Sequence, residues 1–223
     1  MSEVRGTRHS GFIQSEADIR LGMKALRRKC AGMRLAHDLA GDPPLRRRAA
    51  GFEGLARIIV GQQLSVASAE AIWGRTLALV QPFGAAGLLA LDDATVRGAG
   101  LSRGKVLTLR AAAEAVSDGR LAFDMLARAP EPALREALVS VRGIGPWTAD
   151  IFDMFCVGRR DAFAPGDLAL QVAAQMALAL PERPTPLELE VIAARWRPWR
   201  GVAARMLWAY YKVARETKSG LPV

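Results

Sequence analysis

The chain has 223 residues, 51% apolar and 24% charged, which suits a globular protein with a real core and excludes a disordered one. Lysine and arginine total 31 against 22 acidic residues, a net charge of +9 with a pI near 10.5, so a polyanionic partner is favoured, nucleic acid ahead of an anionic membrane. Cys30, Cys156, His9 and His37 are too few for a disulfide framework, a four-cysteine metal site or a histidine-rich metal centre.

No apolar run reaches the roughly 20 residues that span a bilayer. The opening "MSEVRGTRHSGFIQSEADIR" lacks the apolar core of a signal peptide, and a cytosolic protein without a membrane partner is expected. The first ~15 residues read as a loose tail. From Ala17, Ile19, Met23, Leu26 and Cys30 fall at helical spacing and predict one or two helices. "GDPPLRRRAAG", Gly41 to Gly51, is a connector: the proline pair ends a helix and the arginines stay solvated. Phe52, Leu55 and Ile59, then Val66, Ala69, Ile72 and Trp73, mark two helices joined near Gly61.

Farther on, "DDATVRGAGLSRGKVLTLRAAAEAVSDG" reads as a short helix, a glycine turn and a longer helix from near Ser102, and "PALREALVSVRGIGPWTADIFDMFCVG" repeats that arrangement. Val96-Arg97-Gly98-Ala99-Gly100 echoes Val141-Arg142-Gly143-Ile144-Gly145, two similar turns rather than a solenoid. Further helices complete the chain, and no segment alternates with period two. The fold class is all-α, with about ten helices.

The second glycine turn carries the most chemistry. Leu134, Leu138 and Val141 form an apolar face, Gly143 can stop the helix in left-handed geometry, and Ile144 can plug the turn. Gly145 lets the chain reverse, and Pro146 suits the first turn of the next helix. The N–H groups around Gly143, Gly145 and Thr148 then sit at a helix's positive end, where an anion is stabilised. A plain turn between helices satisfies the same glycines.

This turn resembles the helix-hairpin-helix element of the DNA glycosylase superfamily, which holds one DNA phosphate with backbone amides. The resemblance implies that Gly143, Gly145 and Thr148 bind phosphate and that backbone carbonyls at the hairpin can hold a monovalent cation; no other cofactor is implied. "IIVGQQLSVASA", "GLSRGKVLTL", the hairpin, "DLALQ" and "WRPWRGVAARMLW" together resemble the AlkA-type 3-methyladenine DNA glycosylase branch, in order and across most of the chain.

In that family an aspartate follows the hairpin, and "DAFAPGDLALQ" offers Asp161 and Asp167. On its own, Asp167 after Pro165-Gly166 is a helix N-cap, a role compatible with presenting its second oxygen outward. The resemblance makes Asp161 structural and Asp167 catalytic. A single carboxylate is enough where an alkylated, cationic base is already a good leaving group: it stabilises the oxocarbenium-like sugar and orients water.

Branches that also cleave the strand carry a lysine where this chain has Trp147, so a Schiff-base lyase step is not expected, and two cysteines cannot build the iron–sulfur cluster of other branches. By resemblance Trp208 walls the extruded base, with Trp147 a second candidate; either indole can equally be core packing, as Trp196 and Trp199 are expected to be. Gln62, Gln63 and Leu64 lie where the family enters the minor groove, Gln63 or Leu64 being the wedge that fills the gap of the flipped nucleotide. Arg103 and Lys105 are candidate phosphate contacts or merely a solvated basic face.

The implied protein is a monomeric, monofunctional glycosylase of base excision repair acting on alkylated purines in double-stranded DNA at the bacterial nucleoid. A glycosylase for other damaged or mismatched bases and a non-catalytic hairpin DNA-binding protein are the alternatives. The expected organisation is an N-terminal segment, residues 1–51, that joins a C-terminal helical subdomain, residues 164–223. A second helical subdomain, residues 52–163, holds the hairpin at 134–157, with the active site in a cleft between subdomains.

Overall fold

In the computed structural model the described residues are 11–219, with side chains as far as Glu216; His9 and most of the expected tail lie outside them. The described residues form helices α1 (Glu16–Lys29), α2 (Ala31–Ala40), α3 (Phe52–Gly61), α4 (Val66–Leu79), α5 (Ala85–Leu89), α6 (Asp93–Gly98) and α7 (Arg103–Ser117). There follow α8 (Phe123–Leu126), α9 (Glu131–Val139), α10 (Pro146–Phe152), α11 (Leu168–Leu178), α12 (Pro186–Ala193) and α13 (Arg200–Ser219). A π-helical stretch, Asp153–Val157, extends α10, and a 3-10 turn, Ala194–Trp196, follows α12. The fold is all-α, as expected. The thirteen helices among the described residues exceed the expected ten or so, in part because α5 and α8 are single turns, too short to show a period.

Helix contacts divide the chain into two compact units, one from Met1–Leu45 and Gly158–Val223, the other from Arg46–Val157. These divisions fall earlier than the expected 51/52 and 163/164. Each coincides with a break in the backbone: the proline pair Pro43-Pro44 precedes the first, and Gly158, at φ 86, stands at the second.

In the first unit, α13 packs on α1, α2 and α11. Helix α1 starts at a capping box, the Ser15 hydroxyl accepting from Asp18 N–H at 3.3 Å while the Asp18 carboxylate accepts from Ser15 N–H at 2.9 Å. It buries Ile19, Met23 and Leu26 as the spacing predicts. Residues 11–15 are not a loose tail: Ile13 is fully buried and its N–H donates to Gly158 O at 2.7 Å. Trp196 and Trp199 are core, 0% and 8% exposed, and each large apolar side chain removed from water contributes about 1.5–3 kcal/mol.

In the second unit, α3 packs on α4, α7 and α10, α5 on α7, and α9 on α10. Leu55, Ile58, Ile59, Leu109, Leu138 and Phe152 fill its core. Val66 departs from the expected apolar face of α4, being 81% exposed at the helix's first position. Arg48 departs from the solvated arginine run. Its N–H donates to Phe155 O at 2.9 Å, its guanidinium lies 6.0 Å from the Phe155 ring centre, and burial lowers its pKa. Burial also pushes the Cys156 thiol up to about 12, so it stays protonated and unreactive.

Candidate active site and nucleic-acid interface

The hairpin is α9, the turn through Gly143, and α10. Leu134, Leu138, Val141 and Ile144 are all buried, so Ile144 does plug the turn. Gly143 has φ 86, and a Cβ there would lie 2.0 Å from Thr108 Oγ1 on α7, so conformation and space both demand glycine. Gly145 differs. At φ −96 any residue could occupy it, and an added Cβ would meet nothing within 4 Å. The fold itself therefore does not demand glycine at this position.

Gly145 caps α10 without a side-chain hydrogen bond, and Pro146 follows at the first helical position. Gly145 itself thus offers no side chain to the first-turn amides, which have no carbonyl one turn back within the helix to bond. Across the hairpin Arg135 of α9 donates to the buried Asp150 of α10. This clamp was not foreseen from sequence, although the two positions stand almost symmetrically about Gly143. Removing Arg135 would take from the buried Asp150 carboxylate the charge that faces it across the hairpin.

Thr148 is buried, 2% exposed, and its hydroxyl accepts from Gln62 Nε2 at 2.8 Å. Its side chain is therefore structural, and only its main chain can serve an anion at the turn. The same bond fixes Gln62 as a link between the end of α3 and the hairpin, a different duty from insertion into a groove. Lys105 is a correction to the expected phosphate contact. Its ammonium donates to Val60 O at 2.7 Å and Gln62 O at 2.8 Å, capping the carbonyl end of α3, and burial lowers its pKa. No local pattern signals this, because α7 meets α3 only in the tertiary fold.

Beyond that anchored end, Gln63 adopts φ 56 and is exposed, Leu64 is 38% exposed, and Ser65 caps α4. Gln63, Leu64 and Val66 thus form an exposed, partly apolar tip on a base held by Lys105 and Gln62. Arg103, at the start of α7, is exposed, and Trp147 is half-buried.

Asp167 is half-exposed and caps α11, its Oδ1 accepting from Leu170 N–H at 3.0 Å. The same oxygen accepts from Trp208 Nε1 at 3.1 Å, a contact created by the packing of α13 on α11. Gln171 Nε2 donates to Pro165 O at 3.0 Å and fastens the turn ahead of the cap. Trp208, unlike Trp196 and Trp199, is only half-buried. Asp161 is occupied otherwise: its carboxylate pairs with Arg197 at 2.8 Å and Arg200 at 3.2 Å. Of the two acids, Asp161 is held between two arginines and Asp167 beside an indole edge.

Comparison with known proteins places these residues in a family context. The model of the HhH-GPD superfamily of base excision DNA repair proteins matches residues 56–199. A probable bifunctional transcriptional activator and DNA repair enzyme AlkA of Mycobacterium tuberculosis is 38% identical over 45% of this chain, which spans only 19% of that relative's length. Two solved structures align over most of both chains. The 3-methyladenine DNA glycosylase Mag1 of Schizosaccharomyces pombe, in complex with abasic DNA, has a TM-score of 0.77 and 25% identity, covering 86% of this chain and 95% of that one. The DNA-3-methyladenine glycosidase of Bacillus halodurans has a TM-score of 0.76 and 32% identity, covering 87% and 91%.

Proposed function

The chain belongs to the HhH-GPD superfamily of base excision DNA repair proteins, and on that premise we propose that it is a monofunctional DNA glycosylase. It hydrolyses the N-glycosidic bond of alkylated purines, 3-methyladenine and related bases, in double-stranded DNA, and it acts as a monomer. The observation that carries this reading is the Asp167–Trp208 pair, a half-exposed carboxylate hydrogen-bonded at 3.1 Å to an indole N–H. The names of the relatives supply the lesion class.

In this mechanism Asp167 does the chemistry. The Leu170 amide and the Trp208 indole hold its Oδ1 and so orient the carboxylate before substrate arrives. Its negative charge stabilises the positive charge that grows on the deoxyribose as the base departs, and it orients the attacking water. An alkylated base carries its own positive charge, so no second acid is required. Trp208 receives that cationic base by stacking and cation–π attraction worth about 0.5–2 kcal/mol.

Main-chain amides at Gly143, Gly145 and Thr148 take a DNA phosphate, and Arg103 adds a charge contact. Gln63 or Leu64 fills the space left by the extruded nucleotide. A monovalent cation under the hairpin would have main-chain carbonyls as its donors, a fit for a hard cation; among the described residues no group of three His, Cys, Asp or Glu could hold a metal. Trp147 cannot form a Schiff base, so strand cleavage is not included in the reaction.

The test is Asp167→Asn. Asparagine caps a helix as well as aspartate does, so folding and duplex binding persist while release of 3-methyladenine falls by about a hundredfold or more. Release at the wild-type rate from the variant would overturn the assignment. Borohydride is expected to trap no covalent protein–DNA adduct.

A further inference from the structure

Helices α1 and α2 enclose a depression of about 510 Å³ whose lining includes Arg20, Lys24, Arg27, Arg28 and Arg34. It lies away from Asp167. Gly32, beside Arg34 at the start of α2, packs against Ala177 O and Leu178, the last residues of α11, whereas Asp167 caps the first. An 11-residue helix separates those ends by roughly 16 Å.

The floor is preorganised. Arg27 Nη1 donates to His37 Nδ1 at 2.9 Å and to Asp38, while Arg34 Nη2 donates back to Arg27 O at 3.1 Å. Arginine can only donate, so His37 Nδ1 accepts; the ring proton then sits on Nε2, which donates to Asp42 at 2.7 Å. These bonds hold the Arg27 and Arg34 guanidinium groups in place and leave further N–H donors on each.

The rim is cationic. Glu16 lies 3.7 Å from Arg20, and Asp38 and Asp42 are taken by Arg27 and His37. Among the described residues Lys24, Arg28 and Arg34 have no ion-pair partner. Arg20, Lys24 and Arg28 recur every four residues, a rise of about 6 Å each on one helix face. That repeat is commensurate with successive phosphates along one nucleic-acid strand, and arginine forks match phosphate oxygens in pairs. The carboxylates of an acidic peptide hang on flexible side chains, whereas the phosphates are part of the strand itself.

We propose that this depression between α1 and α2 is a second nucleic-acid site, which grips the phosphodiester backbone of duplex DNA without regard to base or lesion. It concerns binding alone and stands whether or not the chain releases bases. Its effect is to retain the protein on undamaged DNA through charge, with the salt dependence such contacts carry.

The experiment measures binding of the full chain to a long undamaged duplex by fluorescence anisotropy across a salt series. In Lys24→Gln/Arg28→Gln/Arg34→Gln the slope of log affinity against log salt is expected to fall by about two to three, at about 0.9 for each lost phosphate contact. Because Arg34 also bonds to Arg27 O, Lys24→Glu/Arg28→Glu serves as a second variant that touches no hydrogen bond of the floor. It should weaken binding at low salt at least tenfold. Polyglutamate of matched charge should compete far less well than DNA. A wild-type slope in both variants overturns the proposal, as does equal competition by polyglutamate, which would make the site one for acidic peptides. Base release from a short lesion duplex, measured alongside, should be unchanged in the variants. If the wild type releases no base, the glycosylase reading fails while the salt slopes still decide this one.

Discussion

The two Gly-X-Gly turns share the sequence pattern Val-Arg-Gly-apolar-Gly but fold differently. In the first, Gly98 is still helical, Ala99 is right-handed at φ −67, and Gly100 makes the turn at φ 98. Ser102 then caps α7 with its hydroxyl, which accepts from Lys105 N–H at 3.4 Å. In the second, the left-handed residue is the first glycine, Gly143 at φ 86, and Gly145 opens α10 with no side-chain cap. The helix that precedes each turn ends at a different point, so the pattern does not decide which glycine reverses the chain. The difference in capping separates the roles. A serine hydroxyl meets the start of α7 from its own N-cap, whereas the N-cap of α10 is a glycine with no side chain to offer.

Gly143→Ala puts this contrast to its most severe test. The new methyl group would meet Thr108 Oγ1 at 2.0 Å at a backbone angle unfavourable to alanine. A loss of roughly 2–4 kcal/mol is expected in urea unfolding, with some of it recovered on adding Thr108→Ala. Gly100→Ala should cost less, about 1–2 kcal/mol, because the nearest obstacle at 2.8 Å is the tip of the exposed Arg75 side chain rather than a buried threonine. A loss as large as that of Gly143→Ala would mean that both turns are equally constrained. Gly145→Ala should leave stability within about 0.5 kcal/mol of the wild type. It should nevertheless reduce duplex affinity about tenfold, since its methyl group would stand where a phosphate approaches. Unaltered DNA affinity in that variant would remove the hairpin from the interface.

What could be read in advance follows the range of the interactions. The start of α7 near Ser102, the cap at Asp167 and the α9 face were legible because caps and helical periods act over a few residues. The link from Gln62 to Thr148, the Lys105 cap on α3 and the Trp208 bond to Asp167 were not, since each joins residues 40 or more positions apart. Lys105 shows the consequence. A lysine beside a glycine turn reads as a phosphate contact until α3 supplies two carbonyl oxygens within 2.8 Å. Val66 erred for the opposite reason: its spacing fits the helix period, but the helix's first position projects beyond the core.

The helical class, the hairpin and the cap at Asp167 were already settled in the linear order of residues, because they depend on local spacing, backbone freedom at glycine and side-chain to backbone bonds. Which carboxylate stands beside an indole, and which between arginines, was settled only when the helices packed. So was the division between cations tied to carbonyls and cations left on the rim between α1 and α2. The reason is physical: a charged or aromatic group acquires its role from its neighbours, and helices distant in sequence supply most of them.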